Sequence, residues 1–361
     1  MIQIAKITLV QVLIFVAGLV CIELVLRYFK PLPIHGGTYH TRDGKAVRVA
    51  QDQFRLKKNL DATHVAAEFS AQIRTNELGY RKLAKESTTP EYLFLGDSFT
   101  FGHGVSDEET FSNLFCTSQD LACLNLGRSG TSTFDQLRVL KYALNAHQIR
   151  PKVVVLVMLT ACWINQSGND LGDNLKHYRA KNKTGSLDNA DASTSHPQAA
   201  FAQDKVASDS LSKTPQPKKS LTKRMQRWIG NLEITKRAML IFSSQLKSSL
   251  YACSDQETID PAIAATQVAL NELERLATKF DFDVKVFSIH PYQELNSTFR
   301  KTQGDLGTVM PKAFKYIGTG EYFRKAHYFP YDGHFNSSGH ANMAAVIESR
   351  LTGKKSEIPS R

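Results

Sequence analysis

The sequence predicts an α/β fold built on a parallel sheet with helices on both faces, preceded by one N-terminal transmembrane helix. Three observations predict it. From Tyr92 onward, short apolar runs alternate with segments of helical periodicity. Polar clusters follow the ends of several of those runs, where parallel sheets gather their sites. Ahead of both lies a run of about twenty apolar residues.

That run, "ITLVQVLIFVAGLVCIELVL" from Ile7 to Leu26, is interrupted only by Thr8, Gln11 and Glu23 near its ends. No small-x-small cleavage site follows it, and Val20 before Cys21 does not suit a lipoprotein signal, so residues 1–30 read as an uncleaved anchor. Arg27 and Lys30 behind the run outweigh Lys6 in front, and the positive-inside rule leaves the orientation open.

Residues 31–90 read as a juxtamembrane extended segment carrying "DQFRLKKNL" and "VAAEFSAQIRTNELGYR", with a turn signal at Asn76 to Gly79. Residues 91–351 carry the α/β rhythm. "YLFLG", "ACLNLG", "KVVVLVMLT" and "DVKVFSIH" read as strands. "ETFSNLFCTS", "TSTFDQLRVLKYALNAHQI", "LTKRMQRWIGNLEITKRAMLIFSSQL", "IDPAIAATQVALNELERLATKF" and "SSGHANMAAVIESRL" read as helices. Residues 166–220 are rich in Asn, Ser, Lys and Asp and read as a polar, disordered insertion, while 352–361 form a tail.

Composition sets the outer limits. The chain has 361 residues, 42% hydrophobic and 22% charged, which excludes global disorder. Its net charge of +11 concentrates between Lys205 and Lys247. Such a stretch suits anionic glycans or lipid headgroups, but its plain reading is a solvated helix face beside a basic linker. No nucleic-acid-binding motif accompanies it, so nucleic acid is not an expected partner. None of the five cysteines has Cys-x-x-Cys spacing, and no metal or cofactor is expected. Cys116 and Cys123 flank a short turn; a disulfide is open to them outside the cytoplasm, but buried free thiols are the expected state.

The chemistry concentrates in "YLFLGDSFTFGHGV" and "YDGHFNSSGH". A serine hydroxyl becomes a useful nucleophile only when an imidazole takes its proton and a third group fixes that imidazole. Ser98 supplies the hydroxyl, and Asp332 and His334 supply a carboxylate and an imidazole two positions apart. The rival role for Ser98 is a helix N-cap, and for His334 and His340 ordinary polar positions at a helix start. Asp97 reads as a brace of the loop. His103 and His290 are candidates for lining an acyl or sugar pocket, against the plainer reading of structural or solvated loop histidines. Backbone N–H groups at Ser98 and near Gly130 are the expected oxyanion donors.

These motifs resemble those of the SGNH or GDSL hydrolases. "FLGDSFTFGHGV" is similar to their first block, "LNLGRSG" to their second and "DGHFNSSGH" to their last. The likeness runs from about Asp52 to the C-terminus. It includes "TNELGYR", a feature similar to the membrane-anchored branch related to alginate O-acetylation proteins. The resemblance implies a three-layer α/β/α, flavodoxin-like domain and acyl-ester chemistry outside the cytoplasm. It makes Ser98 the nucleophile, His334 the base, Asp332 the acid and Gly130 an oxyanion glycine. The single residue between Asp332 and His334 is like the alginate branch, whereas most members space the pair by two.

The third block departs from the pattern. Where an Asn is usual, the chain reads "VMLTACWINQ", leaving Thr160 or Asn165 as the remaining oxyanion donor. "SGND" at Ser167 to Asp170 lies inside the insertion and reads as a decoy.

The expectation is a single-pass membrane esterase with its catalytic domain in the periplasm or outside the cell. It would act on O-acetyl groups of an envelope or extracellular polysaccharide, beside polysaccharide-acetylation partner proteins. The alternatives are an O-acetyltransferase using the same triad, a non-catalytic glycan-binding scaffold and, less favoured, a lipid esterase.

Overall fold

The computed structural model describes residues 2–29, 37–52, 55–159, 232–238, 256–290, 292 and 310–353. Strand β4 (Tyr92–Gly96) shows how the larger sheet is built. Leu93 and Leu95 enter one core and Phe94 the opposite one, the two-residue alternation of a strand covered on both faces. The same split holds in β6 (Val153–Leu159), where Val154, Leu156 and Met158 oppose Val155, Val157 and Leu159.

Strands β4, β5 (Cys123–Asn125), β6, β7 (Asp283–Ile289) and β8 (Lys315–Ile317) form one five-stranded sheet in the order β5-β4-β6-β7-β8, every pair parallel. Helices α4 (Thr133–Ala146) and α5 (Gln256–Phe280) share one core with this sheet. Helices α3 (Phe111–Ser118) and α6 (Ser337–Thr352) share the other. The α/β class read from the rhythm is therefore present, with helices on both faces.

The strand order fixes where a site can open. The chain passes from β4 outward to β5, then crosses back to β6 on β4's other side. The order therefore reverses at β4 and β6, the kind of switch point beside which parallel sheets gather their ligands. Ser98 lies two residues beyond the end of β4, at that switch point.

The segment expected as merely extended is a second sheet. Strands β1 (Thr38–Thr41), β2 (Asp61–Val65) and β3 (Ser70–Arg74) are antiparallel in that order. "VAAEFSAQIR" bends between β2 and β3, closed by the Ala66 N–H donating to the Phe69 carbonyl at 2.9 Å. The expected turn at Asn76 is present, with its side-chain oxygen accepting from the N–H groups of Leu78 and Tyr80. This sheet has a small core of its own, into which Phe101, three residues after Ser98, inserts.

Two expectations are corrected. Cys116 and Cys123 form a disulfide, tying the C-terminal half of α3 to the start of β5. Strands β1, β8 and all of β2 but Val65 fall outside the runs read as extended, because their polar residues give no clear apolar alternation. The "LTKRMQ…SSQL" helix is described only at 232–238, of which 233–238 are helical. The 166–220 insertion lies outside the described residues.

Helix α1 (Ile2–Phe29) runs unbroken for 28 residues. No helix is long and apolar enough over the described residues to cross a membrane. Ile14, Phe15, Ile22 and Leu24 stand on the exposed surface of α1.

Candidate active site

Gly96 ends β4 because nothing larger fits: a Cβ there would collide with the Thr100 hydroxyl and the Val157 carbonyl of β6. Asp97 then turns the chain, and its carboxylate accepts from the Phe99 N–H at 2.9 Å, capping helix α2 (Ser98–Phe101). The cap is therefore Asp97, as a bracing role requires, and the Ser98 hydroxyl is left for other work. Burial pushes the Asp97 carboxyl up to about 7, against hydrogen bonds that pull it down.

The Ser98 hydroxyl lies 2.7 Å from His334 Nε2. On the ring's far side, Nδ1 stands 2.5 Å from an oxygen of Asp332. Asp332 also accepts the His334 backbone N–H at 3.3 Å. The three candidates thus form one chain of contacts across 236 residues of sequence. Burial alone would raise the Asp332 carboxyl, but the neighbouring His334 and His103 hold it well below the usual carboxylate range. An ionised Asp332 accepts from Nδ1–H, which fixes the tautomer that presents a bare Nε2 to the hydroxyl.

Ser98 and His334 are each set by surroundings the sequence reading did not single out. Arg81, fully buried, pairs with Asp107 at 2.5 Å and donates to the carbonyls of Phe101, Gly102 and Val105, which belong to the loop after Ser98. Asp107 in turn takes Arg74 from β3 at 2.6 Å. The Asp332 loop is held by Glu68, from the turn between β2 and β3, which accepts from the N–H groups of Tyr331 and Asp332 at 3.1 and 2.6 Å. Arg81 lies in the quoted "TNELGYR". A single cation beside a turn signal gives no sign in sequence that it will be buried.

The oxyanion side is built from backbone. The loop after β5 presses against α2 so closely that a Cβ on Gly127 would strike the Phe101 N–H, and the Arg128 N–H donates to the Gly96 carbonyl at 3.1 Å. Gly130 follows in the left-handed region at φ +71°. Among the described residues, neither the Ser98 N–H nor the Gly130 N–H donates to a protein acceptor. Thr160 and Asn165 lie outside the described residues. Thr160 directly follows Leu159, and β6 pairs with β4 from Val157 back to Val153.

His340 is a buried structural residue: its Nδ1 accepts the Phe111 N–H at 3.2 Å, and burial lowers its pKa to about 3. His290 packs against Gly320, and its carbonyl accepts the Tyr328 hydroxyl at 2.7 Å. His103, Asp332 and His334 offer ligand atoms within 4.8 Å of one another, a set that suits a metal in composition. Spacing argues otherwise: ligands at about 2.1 Å from a tetrahedral zinc stand about 3.4 Å apart. The His334–Asp332 pair at 2.5 Å is spaced for a hydrogen bond between them rather than for two ligands of one ion.

The arrangement can deprotonate a serine hydroxyl, carry the proton on an imidazole and present backbone donors to an oxyanion. No protein-family model matches the chain, and no curated protein matches it.

Proposed function

We propose that this chain is a serine esterase of the SGNH type, its α/β domain a three-layer member of that class. The observation that carries the reading is the 2.7 Å approach of the Ser98 hydroxyl to His334 Nε2, with Asp332 behind the ring. In the reaction, Ser98 Oγ attacks an ester carbonyl carbon as its proton passes to Nε2. The tetrahedral oxyanion faces the Ser98 and Gly130 N–H groups. As the C–O bond breaks, His334 returns the proton to the leaving alcohol, and the acyl group stays on Ser98. Water or a sugar hydroxyl then attacks the acyl-enzyme with His334 as base. Hydrolase and O-acetyltransferase differ only in that second nucleophile.

An O-acetyl group on an envelope or extracellular polysaccharide is the proposed substrate, with polysaccharide-acetylation proteins as partners. The apolar Ile7–Leu26 run supports a single-pass anchor. The Cys116–Cys123 disulfide supports a catalytic domain outside the cytoplasm, since such bonds rarely persist in a reducing compartment.

The test uses the full-length chain in detergent with a small acetyl ester and a serine-reactive phosphonate. Wild type is expected to turn over the ester and to take the label at Ser98. Ser98→Ala, still folded, is expected to lose both, with turnover down by about 10³-fold or more. A folded wild type that neither turns over nor labels overturns the reading. A charged, impermeant phosphonate applied to sealed right-side-out and inside-out membrane vesicles reports which face carries Ser98.

A further inference from the structure

We infer that His103 is a positioning residue of this site, a second imidazole set beside the outer oxygen of the triad carboxylate. The inference rests on the serine-esterase reading above. Asp332 presents one oxygen to His334 Nδ1 at 2.5 Å, and its other oxygen lies 3.5 Å from His103 Nε2, an electrostatic approach that is long for a hydrogen bond. The two imidazole rings lie side by side, centroids 4.3 Å apart and tilted by 33°. At the other end of the same residue, the His103 backbone N–H donates to the Ser98 carbonyl at 3.0 Å. The contacts close into a ring, Ser98 to His334 to Asp332 to His103 and back to Ser98. His103 therefore ties the nucleophile's loop directly to the loop carrying acid and base.

The surroundings keep that ring in place. His64 meets the His103 ring edge-on at 4.7 Å and Phe69 does so at 5.4 Å. Gly102 and Gly104 on either side are both left-handed, at φ +84° and +86°, and a Cβ on Gly104 would meet Phe329 and Phe69 within about 3 Å. Arg81 fixes the Gly102 and Val105 carbonyls from behind. The side chain is only 11% exposed. A ring confined on this many sides keeps its nitrogen aimed at Asp332 without spending entropy in each turnover.

Two consequences follow. By drawing Asp332's negative charge toward its second oxygen, His103 moderates the pull of the carboxylate on the His334 imidazolium. By standing beside that oxygen, it disfavours carboxylate orientations that turn away from it, and so helps to hold the plane of His334. The charged and titratable groups around it are Asp332 and His334 in the acid–base loop, His64 from β2, Glu68 from the turn after β2, and Arg81 behind its own loop. Tyr39 on β1 stacks on His64 at 4.0 Å, and burial raises its hydroxyl pKa, so it stays neutral.

The experiment first establishes that wild type turns over a small acetyl ester and labels at Ser98, so that the esterase reading stands or falls separately. His103→Phe keeps a ring in the aromatic box and removes the donor. His103→Gln keeps a donor. We expect kcat/KM of His103→Phe to fall by about threefold to tenfold, the scale of one hydrogen bond. Its phosphonate labelling should slow in parallel, and the acid limb of its pH profile should move to higher pH, because the imidazolium then faces the whole carboxylate charge. His103→Gln should recover the limb and most of the rate. Should His103→Phe not fold, His103→Met reads the same limb. Wild-type rate and limb in the apolar variant overturn the proposal, as does an equal loss in both variants with the limb unmoved, which marks packing alone.

Discussion

The parallel sheet brings the Ser98 hydroxyl to the end of β4, whereas the antiparallel sheet contributes no reacting atom yet reaches most of what holds those atoms still. The means differ as well. On the antiparallel side the anchors are charges: Arg74, Asp107 and Arg81 on the nucleophile's loop, Glu68 on the acid's loop. On the parallel side the anchors are close approach and burial, at Gly96, Gly127 and the capping carboxyl of Asp97. The nucleophile on the larger sheet and the charged restraints at and just beyond the smaller one make two parts whose failures should look different.

The largest effect is expected from the antiparallel side. Arg81→Ala leaves Asp107 buried without its inner partner and frees three loop carbonyls. Breaking a buried pair in this way costs about 3–5 kcal/mol. Chemical unfolding of the purified chain should show that loss, with phosphonate labelling slowed even in the fraction that remains folded. A loss below about 1 kcal/mol would mean that the Arg81–Asp107 pair does little to hold the nucleophile's loop.

Asp97 tests the parallel side, and there the sign is opposite to that of an ion pair. Its folded pKa of about 7 exceeds an unfolded value of about 3.9, so between those values the folded chain holds a proton that the unfolded chain has released. Stability from this group is complete below about pH 4 and declines as pH rises toward 7. Asn caps as well as Asp and does not ionise. Asp97→Asn should therefore gain on wild type from pH 4 to pH 8, by up to about 4 kcal/mol, in parallel unfolding titrations. A difference flat with pH would mean that the carboxyl is ionised throughout, held by a charge rather than opposed by burial.

The reacting residues were legible in sequence for a physical reason. Nucleophile, acid and base must be particular residue types at the ends of elements, and Ser98, Asp332 and His334 stand beside runs whose periodicity is plain. The strands buried on both faces were legible because burial demands unbroken apolar runs, as in Val153–Leu159. The holding residues were not. Arg81, Asp107 and Glu68 gain their roles from partners 20 to 264 residues away, and nothing local separates a cation that will be buried from one that will be solvated. The Cys116–Cys123 bond falls in between: the spacing permitted it, and only the packing of α3 against β5 selected it.

The smallest effect concerns Glu68, and it separates holding from folding. Its carboxylate accepts the Tyr331 and Asp332 N–H groups from a half-buried turn, so its removal should cost less than about 1 kcal/mol of stability. The loop's own backbone bonds, from the Phe329 N–H to the His334 carbonyl and from the Gly333 N–H to the Phe329 carbonyl, do not reach the Tyr331 and Asp332 N–H groups. Glu68→Ala should lower kcat/KM for a small acetyl ester by about threefold to tenfold, because Asp332 then wanders and His334 with it. Glu68→Gln keeps an acceptor oxygen and should stay within about threefold of wild type. The comparison of melting curves with rates decides the matter. If rate and stability fall together in both variants, the antiparallel sheet supports the fold as a whole; if the rate falls alone in the alanine variant, it holds the acid of the site in particular.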